Sequence, residues 1–382
     1  MIPRTVYAGE HELFRETVRA FIEKEVIPHH AQWEKDGVVS REIWQKAGAV
    51  GLLCCTIPEE YGGAGADFRF SAIVVEELAR AGTTGPAFYL HSDIIAPYIA
   101  AYGSEEQKRD WLPKMATGEV IGAISMTEPG AGSDLQGIRT RAVMDGNQYV
   151  LNGQKTFISN GQLADLVVVV AKTDPDARGK GISLILVERG REGFARGRNL
   201  EKVGYKAQDT SELFFNDVRV PTANLLGEQE GQGFAQLMQQ LPQERLLVAL
   251  RCATSIETAL EWTVSYVQER EAFGRPLAAF QNTRFTLADI KTEATVCRTF
   301  IDRCLELHGD SKLSAEDAAM AKLHSTELLC RVLDDCVQLH GGYGYMWEFP
   351  IARAWADARM SRIAGGASEI MREIIGRSLF DA

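Results

Sequence analysis

The 382 residues are too many for one simple core and enough for two or three domains, and 45% hydrophobic with 24% charged residues excludes disordered and fibrous classes. Acidic side chains outnumber basic ones 52 to 41, so a net charge of −11 repels nucleic-acid phosphates and anionic membranes, and an anionic ligand needs a local basic patch. The seven cysteines form no Cys-x-x-Cys pair and read as reduced core thiols, and the longest aliphatic run, Leu166 to Ala171, is too short to span a bilayer, so a soluble cytoplasmic protein without membrane insertion is expected.

From about Gly9 to Leu112 the apolar spacing predicts successive packed helices, carrying Phe14, Val18, Phe21 and Ile22, then Ile43 to Leu53, then Ser71 to Ala81. The loop Gly62-Gly63-Ala64-Gly65 lacks the Lys-Ser or Lys-Thr of a phosphate loop, and His29, His30 and His91 have no metal-ligand spacing. After Gly118 the period shortens. Val120 to Thr127, Gln148 to Leu151, Lys155 to Ser159, Leu166 to Ala171, Ile182 to Val187 and Leu213 to Val220 predict an antiparallel β-domain, with tight turns at Asn152-Gly153 and Asn160-Gly161. From Gly231 onward helical periodicity returns at bundle length. The expected division is therefore 1–120 helical, 121–230 β and 231–382 helical, a segregated order that excludes a doubly wound nucleotide fold.

Six stretches could carry chemistry. Thr127-Glu128-Pro129-Gly130-Ala131-Gly132-Ser133-Asp134 follows a strand; its glycines admit close backbone approach and Thr127 and Ser133 offer hydroxyls, although a decorated turn would read the same. Phe157 and Ser159 are two apart on a strand and share a face, an apolar wall beside a hydroxyl, or simply core. Phe234, Leu237, Met238 and Leu241 predict a core-facing helix that Pro242 should kink just before Glu244 and Arg245; a lone Glu on a helix is ordinarily solvated. Arg270 to Pro276, followed by Gln281, offers two guanidiniums as a basic patch or a solvated helix end, and Gln338 to Tyr345 ends a helix in a glycine turn. Finally Ile363-Ala364-Gly365-Gly366-Ala367-Ser368-Glu369 leads into a new helix with Ser368 as the expected N-cap, whose open donors suit a carbonyl or phosphate oxygen.

Together these runs resemble the acyl-CoA dehydrogenase family over essentially the whole chain, through Met126 to Gly137 and through Gln338, Gly341, Gly342, Gly344, Tyr345, Glu348, Arg353 and Asp357. Leu241-Pro242-Gln243-Glu244-Arg245-Leu246 and Tyr345-Met346-Trp347-Glu348 are most similar to the long-chain members. The resemblance implies a mainly α fold with a central antiparallel, barrel-like β-domain and a C-terminal four-helix bundle. It implies a homotetramer with one FAD per subunit, and FAD-dependent α,β-dehydrogenation of a medium- to long-chain fatty acyl-CoA in β-oxidation, with electron-transferring flavoprotein as acceptor. It places Thr127, Ser133, Phe157, Ser159, Ala367 and Glu369 at the cofactor, with Arg270, Phe273, Gln281, Gln338, Gly341 and Gly342 reaching the FAD of a neighbouring subunit. Ser133, Arg245 and Gly365 would meet substrate.

One departure bears on mechanism. Many members carry their catalytic Glu where this chain has Gly365, while the isovaleryl and long-chain members carry it immediately before an Arg, the place of Glu244. The resemblance therefore implies Glu244 as the base, with the Gly365 N–H binding the thioester oxygen; Glu369 is the rival carboxylate. A desulfinase or oxidase of the same fold, or a flavin-bearing scaffold, is the alternative.

Overall fold

The computed structural model describes residues 2–380. Helices come first: α1 Gly9–Phe21, α2 Ile27–Asp36, α3 Glu42–Ala49, α4 Phe68–Arg80, the short α5 Phe88–Leu90, α6 Ala96–Tyr102 and α7 Glu105–Ala116. One wide π turn, His91–Ile95, joins α5 to α6 without a break. Asp67 and Ser104 cap α4 and α7 through their side chains, satisfying backbone donors that a helix start leaves open.

Seven strands follow: β1 Gly122–Ser125, β2 Arg141–Asp145, β3 Gln148–Ser159, β4 Leu166–Lys172, β5 Ile182–Glu188, β6 Phe194–Asn199 and β7 Thr210–Pro221. They form one sheet in the order β1-β4-β2-β3-β7-β6, with β5 also on β4. The sheet is mixed rather than purely antiparallel, because β1 pairs parallel to β4 from Gly122 opposite Leu166, and Arg141 of β2 meets Lys172 of β4 in the same sense. The continuous apolar run of β4 has a direct cause. Leu166, Val168 and Val170 point into the core beneath the N-terminal helices, while Val167, Val169 and Ala171 point into a second core inside the curled sheet. A strand buried on both faces has no polar positions to alternate with.

The expected turn at Asn152-Gly153 is a bulge instead. Strand β3 runs through it, its register on β7 slips between Leu151 and Gly153, and a Cβ on Gly153 would strike Thr140. The β2–β3 hairpin turns at Gly146-Asn147, so β2 lies outside the strands that alternation predicts, as does the polar β6. Asn160-Gly161 does make a turn, with Asn160 at φ 60° and the Gly161 N–H donating to the Ile158 carbonyl.

The C-terminal part packs three long helices, α8 Gly233–Glu269, α9 Gln281–Gly309 and α10 Ala315–His340, with the small hairpin of β8 Glu271–Ala272 and β9 Arg275–Pro276 between the first two. Two shorter helices, α11 Pro350–Ala358 and α12 Ser368–Ser378, lie against α10. Helix α8 continues unbroken through Pro242, and Met238 is exposed while Leu237 and Leu241 are buried, so the apolar stripe is narrower than its spacing predicts. Buried charges tie α4, α8 and α9. The Arg298 guanidinium donates to Glu257 at 2.8 and 2.9 Å, to the Thr254 hydroxyl at 2.7 Å and to Glu76 at 3.2 Å.

Replacing Arg298 with Met would leave the buried Glu257 with only Arg80, 3.7 Å away. Urea denaturation followed by circular dichroism should register a loss of about 3–5 kcal/mol, the penalty for stranding a buried charge.

Candidate active site

Glu244 lies two residues past Pro242 on α8 and is 7% exposed. The Tyr98 hydroxyl, from α6, donates to its Oε1 at 2.9 Å. Burial raises its pKa to about 7, while the Tyr98 hydrogen bond and the Arg245 charge pull the other way without prevailing. Arg245 does not bond its neighbour, since consecutive residues on a helix point in different directions. Its Nε donates instead to the Gly365 carbonyl at 3.4 Å.

The turn before α12 is shaped by two left-handed residues, Gly365 at φ 67° and Gly366 at φ 100°. A Cβ on Gly366 would come within 2.7 Å of the Met371 methyl. The buried Lys322, which burial lowers to about 8, donates from Nζ to the Gly366 carbonyl at 2.6 Å. The Gly365 N–H finds no acceptor among the described residues, a free donor on the same turn that Arg245 holds. Ala367, not Ser368, is the N-cap of α12; the Ser368 hydroxyl is taken up by Glu327 at 2.6 Å, so the helix start keeps open backbone donors. Glu369 points outward, its side chain 82% exposed, with only Arg372 near it at 3.9 Å.

A second group forms around β3. The loop after β1 closes on itself through paired Glu128 and Ala131 backbone bonds and is tied to β3 by the Thr156 N–H, which donates to the Thr127 carbonyl at 2.9 Å. Beneath it the buried Glu128 carboxylate accepts from the Arg139 N–H at 2.6 Å, the Thr140 N–H at 2.9 Å and Lys155 Nζ at 2.8 Å. Burial alone would raise the Glu128 pKa, but the Lys155 charge and these donors hold it below the usual range. Gly130 and Gly132 face open space and Ser133 is exposed. Beside them Phe157 is 65% exposed and sits at φ 60°, a conformation that an aromatic residue seldom adopts, while Ser159 is half-buried. An uncovered aromatic next to an open glycine loop fits a flat, phosphate-bearing cofactor better than a core.

The helical segment through α5 and α6 holds both groups. It carries Tyr98 on one side, and on the other the His91 Nδ1 accepts from the Gly122 N–H at 3.1 Å, fixing the strand that leads to Thr127. Arg270, Phe273, Gln281, Gln338, Gly341 and Gly342 make a third, outward-facing group on the C-terminal helices. Arg270 lies 5.6 Å from the Tyr343 ring, and Tyr266 stacks on His340 at 4.2 Å and donates to its carbonyl, so the hairpin and the glycine turn meet. Phe273 is 95% exposed. No hydrogen bond among the described residues links this group to Glu244. Sequence reasoning missed Tyr98, Lys155 and Lys322, none of which belongs to a motif or to the helix carrying its partner.

The chain is similar throughout to known proteins. It matches the family models described as acyl-CoA dehydrogenase N-terminal domain over residues 8–119, middle domain over 123–218 and C-terminal domain over 231–380. It is 56% identical to the mitochondrial long-chain specific acyl-CoA dehydrogenase of Sus scrofa over 98% of this chain and 88% of that one. An acyl-CoA dehydrogenase structure from Geobacillus kaustophilus superposes with a TM-score of 0.97 at 51% identity, covering 99% of this chain and 100% of that one. A glutaryl-CoA dehydrogenase from Mycobacterium smegmatis in complex with FADH2 gives 0.92 at 29%, covering 99% and 96%.

If Lys155 and Glu128 fix the loop beside Phe157, Lys155→Met should loosen it. Hydrogen exchange at Thr127 to Asp134 should rise at least about tenfold, and the melting temperature should fall with the buried carboxylate left unpaired.

Proposed function

The chain belongs to the acyl-CoA dehydrogenase family, and from that premise we propose that Glu244 is its catalytic base, with the Gly365 N–H binding the substrate carbonyl. The protein is a FAD-dependent oxidoreductase that converts a saturated fatty acyl-CoA to the trans-2-enoyl-CoA. FAD, when bound, supplies the acceptor for the electrons leaving Cβ. The residues that would hold it are Thr127, Ser133, Phe157 and Ser159, together with the open helix start at Ala367 and Glu369.

The observation that carries the assignment is a buried carboxylate raised to about 7, one oxygen occupied by Tyr98, on a helix whose next residue grips the Gly365 carbonyl. An α-proton is weakly acidic, so the reaction needs a stronger base than a solvated Glu and a donor for the carbonyl oxygen on which charge builds. With Tyr98 on Oε1, Oε2 is left to take the proton. The unpaired Gly365 N–H supports the second role, and Arg245, by fixing the carbonyl of the same residue, sets the direction of that turn. The exposed side chain of Glu369 argues against the rival assignment.

The proposal extends to electron-transferring flavoprotein as acceptor, to a cytoplasmic location and to a homotetramer. The last is supported by the outward-facing group of Arg270, Phe273, Gln281 and the Gln338 to Gly342 turn, which would reach a neighbouring subunit's FAD. Among the described residues no helix is long and apolar enough to cross a membrane.

Glu244→Gln should retain FAD yet lose at least about a thousandfold in the rate at which acyl-CoA bleaches the flavin anaerobically, the scale of losing a general base. Bleaching at the wild-type rate would overturn the assignment. Turnover with electron-transferring flavoprotein and not with oxygen separates the dehydrogenase from an oxidase.

Because the acting form is the carboxylate, kcat/KM should rise with pH and level off above about 7. Tyr98→Phe removes a donor that favours the ionised form, so the same limb should move up by roughly one to two pH units.

A further inference from the structure

Helix α8 and the segment through α5 and α6 lie antiparallel, registered by side-chain hydrogen bonds. The Tyr102 hydroxyl meets Gln239 at 2.8 Å, the Tyr98 hydroxyl meets Glu244 at 2.9 Å, and the Tyr89 hydroxyl accepts from Arg251 Nη1 at 3.0 Å. Between the last two rungs α8 presents Glu244, Val248 and Arg251, spaced four and three, on one face. Val248 is the only residue from 244 to 250 that is not buried, and Ile94 and Leu90 on the facing segment are likewise half-open. These half-open residues form an apolar strip with a carboxylate at one end and a guanidinium at the other. Seven residues of helix make it about 10 Å long.

Beyond Arg251 the same face of α8 continues as Ser255, Thr258 and Trp262 and lines a cavity of about 60 Å³, whose other walls include Leu78, Ala79 and Leu333. Arg251 borders that cavity. Its guanidinium lies 5.7 Å from the Tyr89 ring centroid and 5.1 Å from that of Tyr205, and its single hydrogen bond among the described residues is to Tyr89.

We infer that the Tyr89–Arg251 bar gauges acyl chain length, a reading that rests on the dehydrogenase function and on Glu244 as base. An extended chain advances roughly 1.3 Å per carbon, given a C–C bond of about 1.5 Å. A chain laid along this strip therefore spans it with about eight carbons beyond Cα, an acyl group of about ten. A guanidinium is permanently charged and its free N–H groups need acceptors, so an alkyl end pressed against it excludes water without replacing it. Longer chains must displace the bar, and the cavity behind it, with its Leu78, Trp262 and Leu333 walls, receives the first carbons that pass it.

The test titrates FAD-loaded wild type and Arg251→Leu with hexenoyl-, decenoyl- and hexadecenoyl-CoA, reading Kd from the perturbed flavin spectrum without turnover. It is paired with kcat/KM for the saturated thioesters. In the wild type, affinity should climb by up to about fourfold per methylene to decenoyl and then level off. In Arg251→Leu the climb should continue, improving the hexadecenoyl-to-decenoyl ratio by about tenfold or more. Adding Ala79→Phe, which fills the cavity, should cancel that gain and so separates a longer channel from a merely softened fold. An unchanged ratio in Arg251→Leu, or a wild type that tightens steadily through hexadecenoyl, overturns the gauge alone. If no acyl-CoA bleaches wild-type flavin, the dehydrogenase reading falls, and the gauge with it.

Discussion

Two buried carboxylates in this protein have opposite fates, and the contrast isolates what the site depends on. Glu76 is desolvated as thoroughly as Glu244, yet Arg298, Arg4 and Arg15 surround it and hold its pKa at about 2. Glu244 has one hydroxyl and an adjacent arginine whose guanidinium is directed elsewhere, and it stands at about 7. Burial is common to both, so it cannot by itself raise a carboxylate. What raises Glu244 is burial without an ion pair, and the sequence achieves this by putting Arg245 next to Glu244, where helix geometry keeps them apart, rather than a turn away, where they would pair.

That arrangement holds only because the surroundings are rigid. Tyr98 stands on a segment anchored by His91 to the start of β1, and β1 pairs with β4, whose alternate side chains serve two cores at once. Movement of the sheet relative to the helices would open both cores together. The same anchorage leads from Gly122 through Ser125 to the Thr127 loop, so the loop beside Phe157 and the hydroxyl on Glu244 share one reference frame. Catalysis between a base and a cofactor tolerates little relative displacement, and the fold supplies that constraint through packing.

The order of helices, strands and helices was legible because period and length are local properties. Some candidate positions were legible in the same way: the glycine turn at Gly365, the open loop after β1 and the uncovered Phe157 stand where their neighbours in sequence suggest, whereas Glu244 is buried on a helix where a lone carboxylate is ordinarily solvated, and Ala367 replaces Ser368 as the N-cap. Partnerships across the chain were not legible. Nothing near Tyr98 marks it as the donor to a residue 146 positions away, and Lys155 reads as an ordinary strand lysine until Glu128 is found beneath it. Local reasoning failed in a specific way at Asn152-Gly153, where a dipeptide favoured in tight turns serves a bulge, because Gly153 passes too close to Thr140 for any side chain. The polar strand β6 escaped for a related reason: its place in the sheet comes from pairing with β7 and not from an apolar face of its own.

Placing the carboxylate on α8 also shapes the space around it. A Cβ on Gly365 would lie 4.0 Å from Val248, the half-open residue one turn beyond Glu244. A longer acidic side chain on that turn would project towards the stripe formed by Glu244, Val248 and Arg251. With glycine there, the turn contributes only backbone, and no side chain from it reaches Val248. On the proposed assignment, the position of the base and the room for the acyl chain go together, with glycine at 365 and glutamate at 244. With Glu244 as the proposed base, the turn is free to bind the carbonyl, and the proposed gauge two turns further along α8 sets the length of chain that follows.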